Sequence, residues 1–213
     1  MDEILKKYPL LRQYGVSRET CLDFEKYISM IIKKNEEINL ISVETAKTDI
    51  IRERHIADSA QVIDFVDLND NTATDLGAGG GFHRIVTAIL TKIFKKKHKI
   101  NLYEKSHHKS SFLREVSRKL NLNTEVMQKD IFEEKEIQTG SIMTRAFKPL
   151  PVVLELVYKN FIKYKNIILF MGKSGDKVLE ETLKKWDLDF EKKQSITSED
   201  SFLLNIKKIK KKN

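Results

Sequence analysis

The chain has 213 residues, 40% of them hydrophobic, one cysteine, and a formal net charge of +8 with a pI near 9.3. This length fits one domain of ordinary size, alone or with a helical extension, and Cys21 by itself excludes an internal disulfide or a cysteine-based metal cluster. No run reaches the roughly 20 apolar residues that cross a bilayer, and Met1-Asp2-Glu3-Ile4 lacks the basic and apolar regions of a signal peptide, so a soluble protein of the reducing cytoplasm, with no membrane and no metal, is expected.

In chain order, residues 1–66 read as a helical extension. Leu22, Phe24, Tyr27, Ile28, Ile31 and Ile32 recur at spacings of three and four, with Ser17 placed as an N-cap. A second helix is expected from about Ala46 to Phe65, beyond the short segment Asn39-Leu40-Ile41-Ser42-Val43. From Thr72 the pattern changes to short β-like runs alternating with helical ones, which predicts an α/β domain over 67–213 with a mainly parallel sheet. The expected strands are Thr72–Leu76, Lys99–Glu104, Thr124–Gln128, Ser141–Arg145, Asn166–Met171, Phe190–Ser195 and Phe202–Ile209. The expected helices are Ile85–Phe94, Lys109–Leu120, Leu150–Tyr164 and Asp176–Trp186, and the final strand pair reads as an edge hairpin. Phe112, Leu113, Val116 and Leu120 form a core-facing stripe.

Half of the eight glycines fall in Gly77-Ala78-Gly79-Gly80-Gly81, directly after the first strand. Glycine tolerates positive φ and has no Cβ to hold a ligand off, and a helix opening there points its N-terminus at the ligand. A dinucleotide-binding turn wants glycine at the sixth position of G-x-G-x-x-G, where this chain has Phe82; a nicotinamide oxidoreductase is therefore disfavoured. Gly172-Lys173-Ser174 is not a phosphate loop, because Ile167 stands where its first glycine belongs. Glu104 ends the second strand 27 residues after Gly77, in position to accept from both ribose hydroxyls, and Asp130 after the third strand could accept from an adenine amine. Either acid alone would read as a surface carboxylate; in this order they reinforce one another.

The run Asp75-Leu76-Gly77-Ala78-Gly79-Gly80-Gly81 resembles the first motif of class I S-adenosylmethionine-dependent methyltransferases. Within that class nearly the whole chain resembles the small-subunit (16S) ribosomal RNA guanine-N7 methyltransferases, also called glucose-inhibited division protein B. The resemblance rests on Asn39-Leu40-Ile41-Ser42, Arg54-His55-Ile56-Ala57-Asp58-Ser59, the glycine run, Phe112-Leu113-Arg114 and Thr144-Arg145-Ala146-Phe147. It implies a Rossmann-like, seven-stranded, mainly parallel sheet flanked by helices. It also implies S-adenosylmethionine as cofactor, and 16S RNA or the small ribosomal subunit as partner of a monomer. By the resemblance, Gly77 and Phe82 contact the cofactor, the backbone at Asp130 and Ile131 flanks its adenine, and Arg145 lies in the pocket as the expected catalytic side chain. Asp75, Ala78, Gly79, Gly81 and Glu104 complete the expected cofactor site; Arg54, His55, Arg84, Lys129 and Phe147 are the expected RNA-binding residues.

Independent chemistry agrees with an N7 target. Pyrimidine C5 methylation usually needs a cysteine nucleophile, yet Cys21 lies in the N-terminal helix, and the Pro-Pro-aromatic motif of amine methylation is absent after the fourth strand. Guanine N7 has a lone pair and no proton to lose, so positioning can supply much of the barrier reduction, up to ~7–11 kcal/mol. Arg145 could bond guanine O6 or hold a phosphate, and Phe147 either stacks on the base or packs in the core. Arg54 and Asp58, four residues apart, read either as an intrahelical ion pair or as a brace between extension and domain with His55 facing the cleft. A metal role for His55 lacks a second ligand at helical spacing.

The match departs from the family at Phe82-His83-Arg84, where Pro-Gly usually follows the aromatic residue, and at Ile41, where the family has Thr. A cation at the positive end of a helix costs a few tenths to ~1 kcal/mol unless an anion is near. Two outcomes follow: His83 and Arg84 turn outward to RNA phosphate, or cofactor affinity falls and an RNA-binding protein with a degenerate methyltransferase fold remains. The net charge favours a polyanionic partner, although only eight of the 39 basic residues are Arg and compositional bias gives the same excess of lysine. Lys95-Lys96-Lys97-His98-Lys99 reads as a basic loop, and Ile206 to Asn213 as a lysine-rich tail.

Overall fold

The computed structural model describes residues 2–42, 45–77, 81–94 and 97–212. The N-terminal region is helical: α1 (Glu3–Lys6), a 3-10 turn (Pro9–Tyr14) and α2 (Arg18–Asn35). Ser17 caps α2, its side chain accepting from Thr20 N at 3.2 Å. Cys21, Phe24, Tyr27, Ile28 and Ile31 form the buried stripe of α2. A continuous helical segment follows over 48–64, and its pitch changes three times: α3 (Thr48–Ile50), a π stretch (Ile51–Ala57), α4 (Asp58–Ala60) and a 3-10 turn (Gln61–Asp64). A π turn inside a helix is rare and concentrates at functional sites; here it carries Arg54 and His55, and Asp58 follows it as the first residue of α4.

Beyond it come β1 (Thr72–Leu76), α5 (Phe82–Phe94), β2 (Lys99–Tyr103), α6 (His107–Lys119), β3 (Thr124–Met127), β4 (Ile137–Gln138) and β5 (Ser141–Arg145). The chain then forms α7 (Leu150–Asn160), β6 (Phe161–Lys163), β7 (Asn166–Met171), α8 (Gly175–Leu183), β8 (Trp186–Gln194) and β9 (Phe202–Lys211). Seven strands make one sheet in the order β3-β2-β1-β5-β7-β9-β8. The first five run parallel; β9 is antiparallel to both β7 and β8, the hairpin expected at the edge. Strand order reverses between β1 and β5, and ligands of open parallel sheets bind at such a switch point, beyond the carboxyl ends of the strands.

The alternation of each strand divides the interior into two cores. Ala73, Ile100, Leu102, Met143, Ile168 and Leu203 face a cluster completed by α5, α6, α2 and the 48–64 helix. Leu76, Tyr103, Ile142, Ile167, Leu169 and Leu204 face α7 and α8. Side chains from Tyr8 to Val66 thus share one apolar cluster with α5 and the sheet.

Four expectations are corrected. The helix expected over Leu150–Tyr164 stops at Asn160, whose Nδ2 reaches the carbonyls of Phe132 (3.2 Å) and Glu134 (2.5 Å); the next residues become β6, which pairs with β4 in a small ribbon that was not foreseen. The helix expected over Asp176–Trp186 ends at Leu183. The strand expected from Phe190 therefore begins at Trp186. The lysine tail is no tail through Lys211: it continues β9, where Lys211 lies over the Trp186 ring and pairs with Glu155 at 3.1 Å. Lys95 and Lys96 of the expected basic loop, and Val43, lie outside the described residues. Among the described residues no helix is long and apolar enough to cross a membrane.

Candidate active site

The carboxyl ends of β1, β2 and β5 bring Gly77, Glu104 and Ala146 to one edge of the sheet, with Asp130 just past β3. Two adjoining cavities open there, of about 360 and 430 Å³, and they share Gly77 and Ala146. Both shared residues have left-handed backbone, Gly77 at φ +69° and Ala146 at φ +48°. For alanine that conformation costs on the order of 1–2 kcal/mol. It sends consecutive side chains apart, Arg145 into one cavity and Phe147 into the other.

The first cavity is walled by Tyr103, Glu104, Asp130, Ile131, Phe132 and Phe147, with lysines at its rim. Glu104 is buried, and its Oε1 accepts from Ser106 N at 2.7 Å, which ties it to the cap of α6. Asp130 caps a 3-10 turn by accepting from Phe132 N at 3.1 Å, and this fixes the backbone at Asp130 and buried Ile131. Phe147 stacks on Phe132 with ring centroids 5.8 Å apart and lies against Gly77, where an added Cβ would overlap its ring. Lys129 is exposed at the rim, paired with Glu134 at 3.1 Å.

The second cavity is lined by His55, Gly81, Phe82, His83, Arg84 and Arg145, with Ile41 and Ser42 opposite. Phe82 sits between His55 (4.5 Å between centroids) and Tyr27 (5.9 Å). Gly81 has φ +80°, and a Cβ there would run into Leu113. Arg145 Nη1 pairs with Asp58 Oδ2 at 2.7 Å and lies 2.9 Å from His83 Nε2. Arginine only donates, so His83 accepts through an unprotonated Nε2. Burial, then Arg145 and Arg84, hold the His83 imidazole well below its ordinary range, and it stacks on Phe170 at 4.1 Å. His55 is pushed down to about 4, by burial first and Arg145 second, and among the described residues its buried Nε2 has no hydrogen-bond partner.

Two expectations change here. His83 and Arg84 do not turn outward: they are 5% and 3% exposed, and Arg84 is ion-paired with buried Asp75 rather than displayed to phosphate. Its Nη2 also donates to the carbonyls of Gly77 at 2.8 Å and Leu76 at 3.3 Å. Nor do Arg54 and Asp58 form an intrahelical pair. The π pitch moves position 58 off the Arg54 face; Asp58 turns inward to Arg145, while Arg54 is exposed and lines a separate cavity with Tyr8, Ala57 and Thr197. Of the brace reading, Asp58 reaches Arg145 at the end of β5 and His55 lines the cleft, whereas Arg54 is exposed away from it. Ala78 and Gly79 lie outside the described residues.

Sequence reasoning missed Ser195 and Thr197, in the turn between β8 and β9. Both hydroxyls donate to Asp58 Oδ1 at 3.0 Å, and Gln61 Nε2 donates to the same oxygen at 3.0 Å. More than 130 residues separate this turn from Asp58, and no local motif marks it.

A family of known methyltransferases, rRNA small subunit methyltransferase G (GidB), matches residues 20–204. The chain belongs to this family. Over 213 residues it is 66% identical to ribosomal RNA small subunit methyltransferase G of Pelagibacter ubique, covering all of both chains. It is 35% identical over 214 residues to the protein of that name from Bartonella bacilliformis, covering 98% of this chain and 94% of the relative. Solved structures share the fold at lower identity. MtNAS in complex with S-adenosylmethionine superposes with a TM-score of 0.56 at 14% identity, over 87% of this chain and 75% of that one. M. jannaschii TYW2 in complex with AdoMet gives 0.52 at 12%, over 75% and 77%. This family member has the fold of those two S-adenosylmethionine complexes. The donor set fits that cofactor: a carboxylate at the end of β2, a fixed backbone after β3, and a glycine whose missing Cβ leaves room for the Phe147 ring where the cavities join.

Proposed function

We infer that the protein transfers the methyl group of S-adenosylmethionine to N7 of a guanine in 16S ribosomal RNA. The observation that carries this reading is the junction of two chemically different cavities at Gly77 and Ala146, one offering the Glu104 and Asp130 carboxylates and one holding Arg145. Glu104 binds the ribose hydroxyls, the backbone at Asp130 and Ile131 flanks the adenine, and Gly77, Gly81 and Phe82 face the methionine end. When bound, the cofactor supplies an electrophilic methyl on a sulfonium; N7 accepts it through its lone pair and no proton leaves. The chain's own groups suit that chemistry. His55 is neutral at physiological pH, and Cys21 is buried in α2 outside both cavities, its thiol pushed up to about 11 by burial. Neither a base nor a nucleophile is needed.

Arg145, held on one side by Asp58 and His83, meets guanine O6 or an RNA phosphate in the second cavity. Residues 1–66 serve as the extension that closes this cavity through Leu40, Ile41, Ser42 and His55. We take the protein to act as a monomer, in the cytoplasm where ribosomes are made. The reading of a degenerate, transfer-deficient fold is not favoured, because His83 and Arg84 are built into the structure that supports the cleft. Titration calorimetry with S-adenosylmethionine tests the proposal: saturable binding is expected, and no heat at millimolar ligand overturns it.

A further inference from the structure

Arg84 is a cation in the first turn of α5, at the positive end of that helix, and only 3% exposed. A charge so placed is costly unless it is paired and hydrogen-bonded. Its partners are three consecutive residues at the end of β1: the Asp75 carboxylate, the Leu76 carbonyl and the Gly77 carbonyl at 2.8 Å. Asp75 is itself fully buried and, among the described residues, Arg84 is the cation paired with it. The planar guanidinium fork can hold all three at once, which a lysine ammonium cannot do with the same geometry. Gly77 is also where the chain leaves the strand in left-handed conformation and forms the floor shared by both cavities.

We propose that Arg84 is a positioning residue, a buried brace that fixes the direction in which the glycine turn leaves β1 and so shapes the seat of the cofactor. The proposal rests on the reading above for what the turn holds. It does not depend on that reading for the rigidity of Gly77 and the end of β1, so two readouts separate them. In cofactor-free protein, Arg84→Gln should raise amide exchange in the peptides spanning 74–77 and 81–85 at least tenfold while leaving β7 and β9 unchanged. Its Kd for S-adenosylmethionine by calorimetry should rise at least tenfold, with KM affected far more than kcat, and Arg84→Lys should recover part of both.

Should Arg84→Gln fail to fold, Asp75→Asn combined with Arg84→Gln leaves no orphaned buried charge and answers the same question. Exchange and Kd within twofold of the parent, in either folded variant, would overturn the brace. A parent protein that does not bind S-adenosylmethionine would instead contradict the proposed function, and the exchange result alone would then decide the brace.

Discussion

At Gly77 the fold and the cleft meet in a single residue. Its φ of +69° suits glycine, and a Cβ would overlap Phe147. Gly77→Ala should therefore cost about 1–3 kcal/mol and weaken S-adenosylmethionine binding at least tenfold, checked by denaturant unfolding and calorimetry. The buried titratable groups predict a pH dependence. His55 is depressed in the folded state, so its contribution is complete above about 6.5 and is lost as pH falls toward about 4, and His83, held well below its ordinary range by burial, acts in the same sense. Asp75 acts in the opposite sense: burial pushes its carboxyl from 3.8 up to about 6, so its contribution is present below 3.8 and lost as pH rises through about 6. Unfolding at a series of pH values should show His55→Asn flattening the acid-side slope, by less than about 1 kcal/mol per unit given its partial exposure. Asp75→Asn should instead steepen the net loss of stability between pH 6 and 4.

Among the elements, the decisive link joins three that are distant in sequence: the 48–64 helix, the end of β5 and the β8–β9 turn, all meeting at Asp58. Removing one partner of a buried ion pair strands the other, so Asp58→Ala should cost about 3–5 kcal/mol. Thr197→Val, losing the hydroxyl's hydrogen bonds with Asp58 and Ser195, should cost about 1–2 kcal/mol; thermal unfolding distinguishes the two. The five parallel strands were readable because such strands, buried on both faces, appear as short apolar runs between helical repeats. Strands β4 and β6 are too short to carry a period, and their pairing follows from contacts of Asn160 that no local pattern reveals. Glu104 and Asp130 could be placed because strand ends are predictable. The inward turn of Arg84 could not, since its anion, Asp75, meets it only after strand, glycine turn and helix have folded back on one another. Asp58 looked like a partner for Arg54 under a regular helical pitch; the π stretch changes that geometry.

For the whole molecule, the +8 charge acquires a location. Lys105, Lys109, Lys129 and Lys148 line the first cavity, Lys105 paired with Asp130 and Lys129 with Glu134. Binding of small-subunit RNA should accordingly weaken at least tenfold between 50 and 200 mM salt, as counterion release requires for about two or more phosphate contacts; filter binding measures this. The most direct test of the central claim is nucleoside mass spectrometry of small-subunit ribosomal RNA from cells with and without this gene. The account predicts the loss of one N7-methylguanine in the deletion strain and its return when the gene is restored. An identical N7-methylguanine content in the two strains would contradict it.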